Sequence, residues 1–552
     1  MKPKPLAERI LELGGKLVAI KSVVGTDGEA QVAEAVYERL EACKYFKEHP
    51  RNLRLVKITG APNKRAAVLA LYRPTKCKGN HVAVLLGHID TVGMDEYGKL
   101  AASFGDSKAL EKAYAASAEK ELAGDAASGK YLFGRGWLDM KGSVAMLVET
   151  LVELAGRDDF CLNLLLCLCP DEEGDSAGVR QAIPALRRWV KARGLQTAFV
   201  LNADYTAPLA ENDPSRFIYL GTVGKMLPTV AVFGKESHVG QAFEGINAAA
   251  LAGEIAAELD LHPDLVDAFA GEHTLPPAVL SLSDMQREYS VKTPSFAYTY
   301  VNQFYANAPP DKMLKMVKRC VGEAVESFES RRKKRYHEYV KRTGQSLPFA
   351  NRPIEVLTLS DLVARIDHQL RSSGSALKAA DEVRRIEAED VGIADERARA
   401  IDVVRRLYAL LKDGPPMCVV FFSPPFYPSK LNRDLDAAEY AMKAAARKTA
   451  EHFAGEHLTV MQVYPYIADM SFFGFDRRDR GQHGYWENAP LVGLREPLEA
   501  LAVMNVPAVN IGPIGKGGHQ YGERVERRYL CEVLPRVVTH FLKAFAEEYR
   551  GE

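Results

Sequence analysis

Residues 81–98, HVAVLLGHIDTVGMDEYG, decide how the fold is read. The apolar run from Val82 to Leu86 reads as a strand buried on both faces, and His88 and Asp90 follow where it ends. Alternate residues of a strand share a direction, so His88 and Asp90 point one way and Ile89 the other. Polar side chains at the carboxyl end of a buried strand lie where a parallel sheet presents its ligands.

Working outward, AAVLALYR, SVAMLVETLVELAGR, CLNLLLCLC, AIPALRRWVKARG and TAFVLNAD continue an alternation of strands and helices up to about residue 222. That order predicts an α/β domain with a mostly parallel mixed sheet flanked by helices. After FIYLGTVGK the order changes to strand (MLPTVAVF), helix (GINAAALAGEIAAELDL), two strands (PAVLSLSDM, PSFAYTYVNQFY), a helix starting at a proline, and a strand (MCVVFFSPP). This β-α-β-β-α-β order predicts a ferredoxin-like α+β domain, inserted into the first. A charged, helical insertion at about 335–412 interrupts it, its charges forming a solvated face. The expected organisation is a discontinuous catalytic domain, 1–222 and 426–552, with a lid or dimerisation domain at 223–425.

Composition limits the partners. A chain of 552 residues exceeds one hydrophobic core, and 47% hydrophobic with 26% charged residues is ordinary for globular proteins. Lys plus Arg and Asp plus Glu balance at 72 each, which argues against nucleic acid or an anionic membrane as partner. With no apolar run near the roughly 20 residues of a membrane span, a cytoplasmic protein acting on a small molecule is expected. Cys161, Cys167 and Cys169 lie in an apolar run without a second Cys/His pair at ligand spacing, and read as core residues.

Other strand ends carry chemistry too: Asp139 in GRGWLDMKGS, Asp171, Glu172 and Glu173 in PDEEGDSAG, Asp204 in LNADYT, and His519 in GKGGHQYGE. One H-x-D is as readily a turn pair, and one Glu pair as readily solvated. Together, carboxylates near buried strand ends repel one another unless a cation or proton is present. Divalent ions bound by His, Asp and Glu would neutralise the set, which argues for a dinuclear site.

GHIDTVG, GRGWLDMKGSVA, DEEGDSAG, GKESHVGQAFEGINAA and GPIGKGGHQYGERV together resemble the di-zinc aminoacylase and carboxypeptidase family, which includes acetylornithine deacetylase and succinyl-diaminopimelate desuccinylase. YPYIADMSFFGF and the long insertion are most similar to its arginine-utilisation branch. The resemblance implies two divalent ions, zinc foremost, with cobalt and manganese as alternatives. His88, Asp139 and Asp204 would hold one and Asp139, Glu173 and His519 the other, Asp139 bridging. Glu172 would be the general base, Asp90 the carboxylate orienting His88, and His238 a donor to the developing oxyanion, in cis or in trans. A homodimer through the inserted domain is also implied. The implied reaction is hydrolysis of the amide bond of an N-acyl amino acid or small peptide, in arginine or ornithine metabolism.

The sequence is compatible with two other readings. A non-catalytic binding protein could keep the fold and the metals. A nucleotide-using enzyme needs a phosphate loop, and GPIGKGG lacks its spacing and its Ser/Thr. The stretch 96–133, longer than the family's usual connection, is a candidate helical flap. Asp469 is a site residue or a helix N-cap. Arg135 and Arg524 are candidates for a substrate carboxylate or for structural ion pairs, and SRRKKRYHEYVKR is a basic helix best read as solvated.

Overall fold

The computed structural model describes residues 4–549 apart from 61, 76–78, 158, 211–212, 287, 390–392, 394, 434–435, 475–483, 492–500 and 502–503. Two compact units divide the chain: Met1–Thr222, Lys430–Phe475 and Ala500–Glu552 form the first, Val223–Ser429 and Asp476–Glu499 the second.

The first unit is built on an eight-stranded mixed sheet whose centre is parallel. Strand His81–His88 lies between Asn163–Cys169 and Gln196–Asn202, parallel to both, with His88 opposite Cys169 and Leu86 opposite Asn202. That register places the ends of all three strands at one edge of the sheet. His88, the turn after Cys169 and Asp204 therefore meet there. Ala508–Asn510 extends the sheet beside Gln196–Asn202, and the chain beyond it leads to His519. Gly512 makes this approach possible, since a Cβ there would lie 1.7 Å from the Asp204 carbonyl oxygen.

Burial on both faces explains the unbroken apolar strands. Val82 to Leu86, Leu164 to Leu168 and Phe199 to Leu201 are all fully buried; Ala83, Leu85, Leu164, Leu166, Leu168, Phe199 and Leu201 share a core with helices Leu6–Val18, Lys141–Ala155 and Leu534–Glu548, and helix Ala177–Lys191 also lies against the strands. Truncating one such side chain to alanine costs about 2–5 kcal/mol.

The connection between strand His81–His88 and Asp139 is helical, with a 3₁₀ segment at Asp95–Ser103 and helices Ser107–Tyr114 and Lys120–Ser128. Asp106 starts the first of these helices by accepting from the Lys108 and Ala109 amides at 3.1 and 3.0 Å. The segment has an apolar cluster of its own around Tyr97, Leu110, Tyr114, Leu122 and Phe133. Tyr521, two residues past His519, packs edge-on against Tyr114 with ring centroids 5.0 Å apart.

The second unit has a five-stranded sheet in the order Ala278–Ser283, Phe296–Tyr305, Gly224–Phe233, Met417–Tyr427, Glu355–Thr358. Its first four strands with helices Ala248–Leu259 and Pro310–Thr343 have the ferredoxin-like order. The charged insertion is not wholly helical: it supplies Glu355–Thr358, parallel to Met417–Tyr427. Its helices are amphipathic, burying Leu362, Ile366, Val383, Ile401 and Val404 against Phe233, Val419 and Phe421 of the sheet. Asp476–Glu499, read from the sequence as part of the returning α/β segment, groups with this unit. The reason is visible at Asn488, whose carbonyl accepts the Phe422 amide at 2.9 Å, while Tyr485 stacks on Phe426.

Cys167 and Cys169 are free and fully buried, as core residues are. Cys161 is a correction: it is half-buried and disulfide-bonded.

Candidate metal centre

His88 is 2% exposed at the end of its strand. Its Nδ1 is 3.2 Å from the Asp90 backbone oxygen and its Nε2 is 2.8 Å from Asp139 Oδ1. The Asp90 carboxylate is the more distant partner of the ring, at 3.6 Å, and its oxygens are engaged elsewhere. Oδ1 accepts the Glu172 amide at 3.1 Å and Oδ2 accepts the Glu173 amide at 3.0 Å. Asp90 thus touches His88 and also grips the backbone of the DEEG turn.

That turn solves the problem of two adjacent glutamates, which would point oppositely in a strand. Asp171 adopts φ +70° immediately after the strand. Its carbonyl accepts the Ser176 amide at 2.7 Å, its Oδ2 accepts the Ala177 amide at 3.0 Å, and Arg65 Nη1 holds its Oδ1 at 2.9 Å. Glu172 and Glu173 then both offer oxygens near His88, all three donor atoms within 4.8 Å of one another.

Asp139 lies between the two histidines. Its Oδ1 faces His88 Nε2 and its Oδ2 faces His519 Nε2, each at 2.8 Å. The peptide from Asp139 to Met140 is cis. His519 is half-exposed on a turn with φ +61°, following Gly517 at φ +68°, and its Nε2 is also 3.0 Å from Glu173 Oε1. Asp204 follows strand Gln196–Asn202; its amide donates to Asn510 Oδ1 at 3.0 Å and its carbonyl accepts from Asn510 Nδ2 at 2.9 Å. Donor atoms of His88, Asp139 and Asp204 lie within 4.8 Å of one another, and so do those of Asp139, Glu173 and His519. The structure therefore brings these residues together in two groups that share Asp139.

The electrostatics are those of crowded, buried carboxylates. Burial, then the charge of Asp139, pushes Asp204 up to about 7 despite the pull of His88. Burial and the charges of Glu173, Asp469 and Asp204 hold Glu172 well above the usual carboxylate range. His519 rises to about 11 through hydrogen bonds to Asp139 and Glu173. Burial opposes protonation of His88, but its hydrogen bond to Asp139 and the nearby Asp90 carboxylate raise it well above an ordinary imidazole. Five carboxylates, Asp90, Asp139, Glu172, Glu173 and Asp204, thus crowd two histidines, and bound protons relieve their repulsion. These oxygen and imidazole donors fit a pair of divalent ions, which would take the place of the protons.

The secondary candidates also find places. Arg135, 1% exposed, pairs with Glu523 and Glu96, and Arg524 pairs with Asp125 at 2.7 Å, so both are structural ion pairs. Asp469 opens a short 3₁₀ segment, but among the described residues its carboxylate accepts no backbone amide, which removes the N-cap reading. It is buried among His88, Ser176, Asp90 and Asp171; burial is the main reason it rises to about 8. His238 belongs to the second unit, exposed in a loop, where its Nδ1 accepts the Gly240 amide at 3.1 Å. A further group there, His262, Cys320 and Glu323, is a poor donor set. The Asp264 amide donates to His262 Nδ1 at 3.1 Å, which puts the proton on Nε2 and leaves no free nitrogen lone pair.

Residues 84–485 match the model of Peptidase family M20/M25/M40. The chain belongs to that family. Protein RocB of Bacillus subtilis is 29% identical over 564 residues, covering 99% of this chain and 98% of its own. A succinyl-diaminopimelate desuccinylase of Methylorubrum extorquens is 33% identical over 120 residues, 21% of this chain and 29% of its own. Among solved structures, an M20 family metallo-carboxypeptidase from Sulfolobus solfataricus superimposes with TM-score 0.53 at 11% identity, covering 97% of this chain and 99% of its own, which speaks to the fold alone. The resemblance to this family read from the sequence stands.

Sequence reasoning missed Arg65, Glu29 and Glu523, which lie beneath the site. Glu523 was within a quoted motif, four residues past His519. Its only signal was an acid at a fixed offset from a candidate ligand.

Proposed function

We propose that this M20 protein hydrolyses the amide bond of an N-acyl amino acid or small peptide, with Glu172 as general base. The observation that carries the reading is Asp139, whose two oxygens lie 2.8 Å from one histidine each, with further carboxylates crowded around it. His88, Asp139 and Asp204 would hold one divalent ion and Asp139, Glu173 and His519 the other. Zinc suits these donors best, and cobalt or manganese would also be accepted. When bound, such a pair polarises the substrate carbonyl and makes water acidic enough to ionise near neutral pH.

Glu172 is no member of either shared-Asp139 group, so its carboxylate is free to take the proton from the attacking water and deliver it to the leaving nitrogen. Asp90 orients the His88 ring and fixes the turn that aims Glu172. We add His238 from the sequence resemblance as a donor to the developing oxyanion. A backbone amide can only donate, so His238 Nδ1 is an acceptor and Nε2 carries the proton that this role needs.

A homodimer through the second unit is part of the proposal. Strand Ala278–Ser283 is an edge strand among the described residues and leaves Leu280 and Leu282 at least half exposed, and such an apolar edge favours pairing with a second copy. We place the protein in the cytoplasm on its free, buried cysteines, Cys161 being the exception. No helix among the described residues is long and apolar enough to cross a membrane. Arginine and ornithine derivatives lead the substrate panel.

The test is a panel of acyl amino acids and dipeptides on metal-replete protein, read for released amino groups. Turnover by the wild type, reduced about 10²–10⁴-fold in Glu172→Gln with metal content unchanged, is the expected result. Ligand binding without turnover across the panel would remove the enzymatic reading.

A further inference from the structure

Glu523 is fully buried and every polar atom it has is used. Its Oε1 accepts the Gly136 amide at 2.7 Å and faces the Leu138 and Asp139 amides at 3.3 and 3.4 Å. Its Oε2 accepts from the Arg135 guanidinium. Its amide donates to the Gln520 carbonyl at 3.2 Å, and its carbonyl accepts the Gly134 amide at 3.1 Å. One side therefore holds the turn that carries His519, and the other holds loop 134–139 that ends in Asp139. Asp139 Oδ2 then returns to His519 Nε2 at 2.8 Å, closing a ring of contacts.

A buried carboxylate survives only where amides and a counter-charge replace water. Arg135 supplies that charge, and the helical connection holds Arg135 in turn, through Glu96 and through Tyr97, whose ring centre is 5.4 Å from the guanidinium carbon. The helical connection thus reaches the centre through Arg135 and Glu523, beside its contact between Tyr114 and Tyr521.

We propose that Glu523 is a positioning residue that sets the separation of Asp139 and His519, and thereby governs the ion held by Asp139, Glu173 and His519. The proposal rests on the di-metal reading above. His88 ends a sheet strand and Asp204 follows one, held by Asn510, and neither belongs to this ring, so the ion they would share depends on Glu523 much less. A residue with a merely structural role would lower stability without distinguishing the two ions.

The test is stepwise cobalt titration of full-length wild type and Glu523→Ala, read by visible absorption and by metal analysis after dialysis, beside thermal unfolding and kcat. The wild type is expected to take up two ions. Glu523→Ala should bind its first ion as the wild type does and its second about 10–100-fold more weakly, with kcat recovering as cobalt is raised. Glu523→Gln keeps an oxygen that accepts amides and should fall between, and it carries the test if the alanine variant does not fold. Two unchanged affinities, or two that fall together in step with thermal stability, overturn the proposal and leave the di-metal reading intact. A wild type that binds fewer than two ions overturns the di-metal reading and this proposal with it.

Discussion

The candidate ligands fall into two kinds. His88 ends a sheet strand whose hydrogen-bond ladder fixes its backbone, and Asp204 follows the neighbouring parallel strand, its backbone held by Asn510 of the next strand. Asp139, Glu173 and His519 stand on turns, each of which contains residues at positive φ. A sheet positions a side chain with its own backbone, whereas a turn must borrow rigidity from neighbours. Those neighbours are buried ionic groups: Asp90 and Arg65 around the DEEG turn, and Glu523 and Arg135 around the Asp139 loop. Buried charges are costly and weak as stabilisers. Their concentration beneath the turn ligands fits a positioning task.

Three substitutions press on this contrast. Asp139→Asn, at the residue shared by both groups, should remove both ions and all measurable turnover, read by metal analysis and amine release. Retention of the strand-held ion would mean that His88 and Asp204 suffice alone. Asp90→Asn comes next, because an amide has one oxygen where two backbone amides need accepting. Metal affinity should fall about 10–100-fold, while unfolding in urea shifts far less. A large loss of stability with unchanged affinity would make Asp90 a structural residue.

The smallest effect concerns pH and the outermost support. Burial, then the charge of Asp90, pushes Glu29 up to about 7, against the pull of its Arg65 partner 2.8 Å away. Between the unfolded value near 4.5 and about 7, the native state keeps a proton that the unfolded chain has released. Native stability should therefore fall as pH rises through that window. Relative to Glu29→Gln, the wild type should lose on the order of 1–2 kcal/mol there, measured by urea unfolding at each pH. A constant difference across the window would show that Glu29 is ionised throughout.

How much the sequence disclosed follows the same division. The strand-end ligands were legible because a buried strand has an apolar period and a polar end, as HVAVLLGHID does. The turn ligands became legible only as a set, through motifs that resemble a family. Glu523 and Arg65 were not legible: burial of a charged residue depends on which loops close over it, and no local pattern records that. The strand Glu355–Thr358 was hidden for a related reason. Four residues flanked by charged helices carry too little period to stand out, and their β character comes from the neighbouring strand.

The central claim is a pair of ions sharing Asp139, and crystals of metal-replete protein test it directly by anomalous scattering at the metal edge. Two peaks about 3.5–4 Å apart, one beside His88 and Asp204 and the other beside Glu173 and His519, with Asp139 between them, are expected. A single peak, or none at Asp139, would contradict the account.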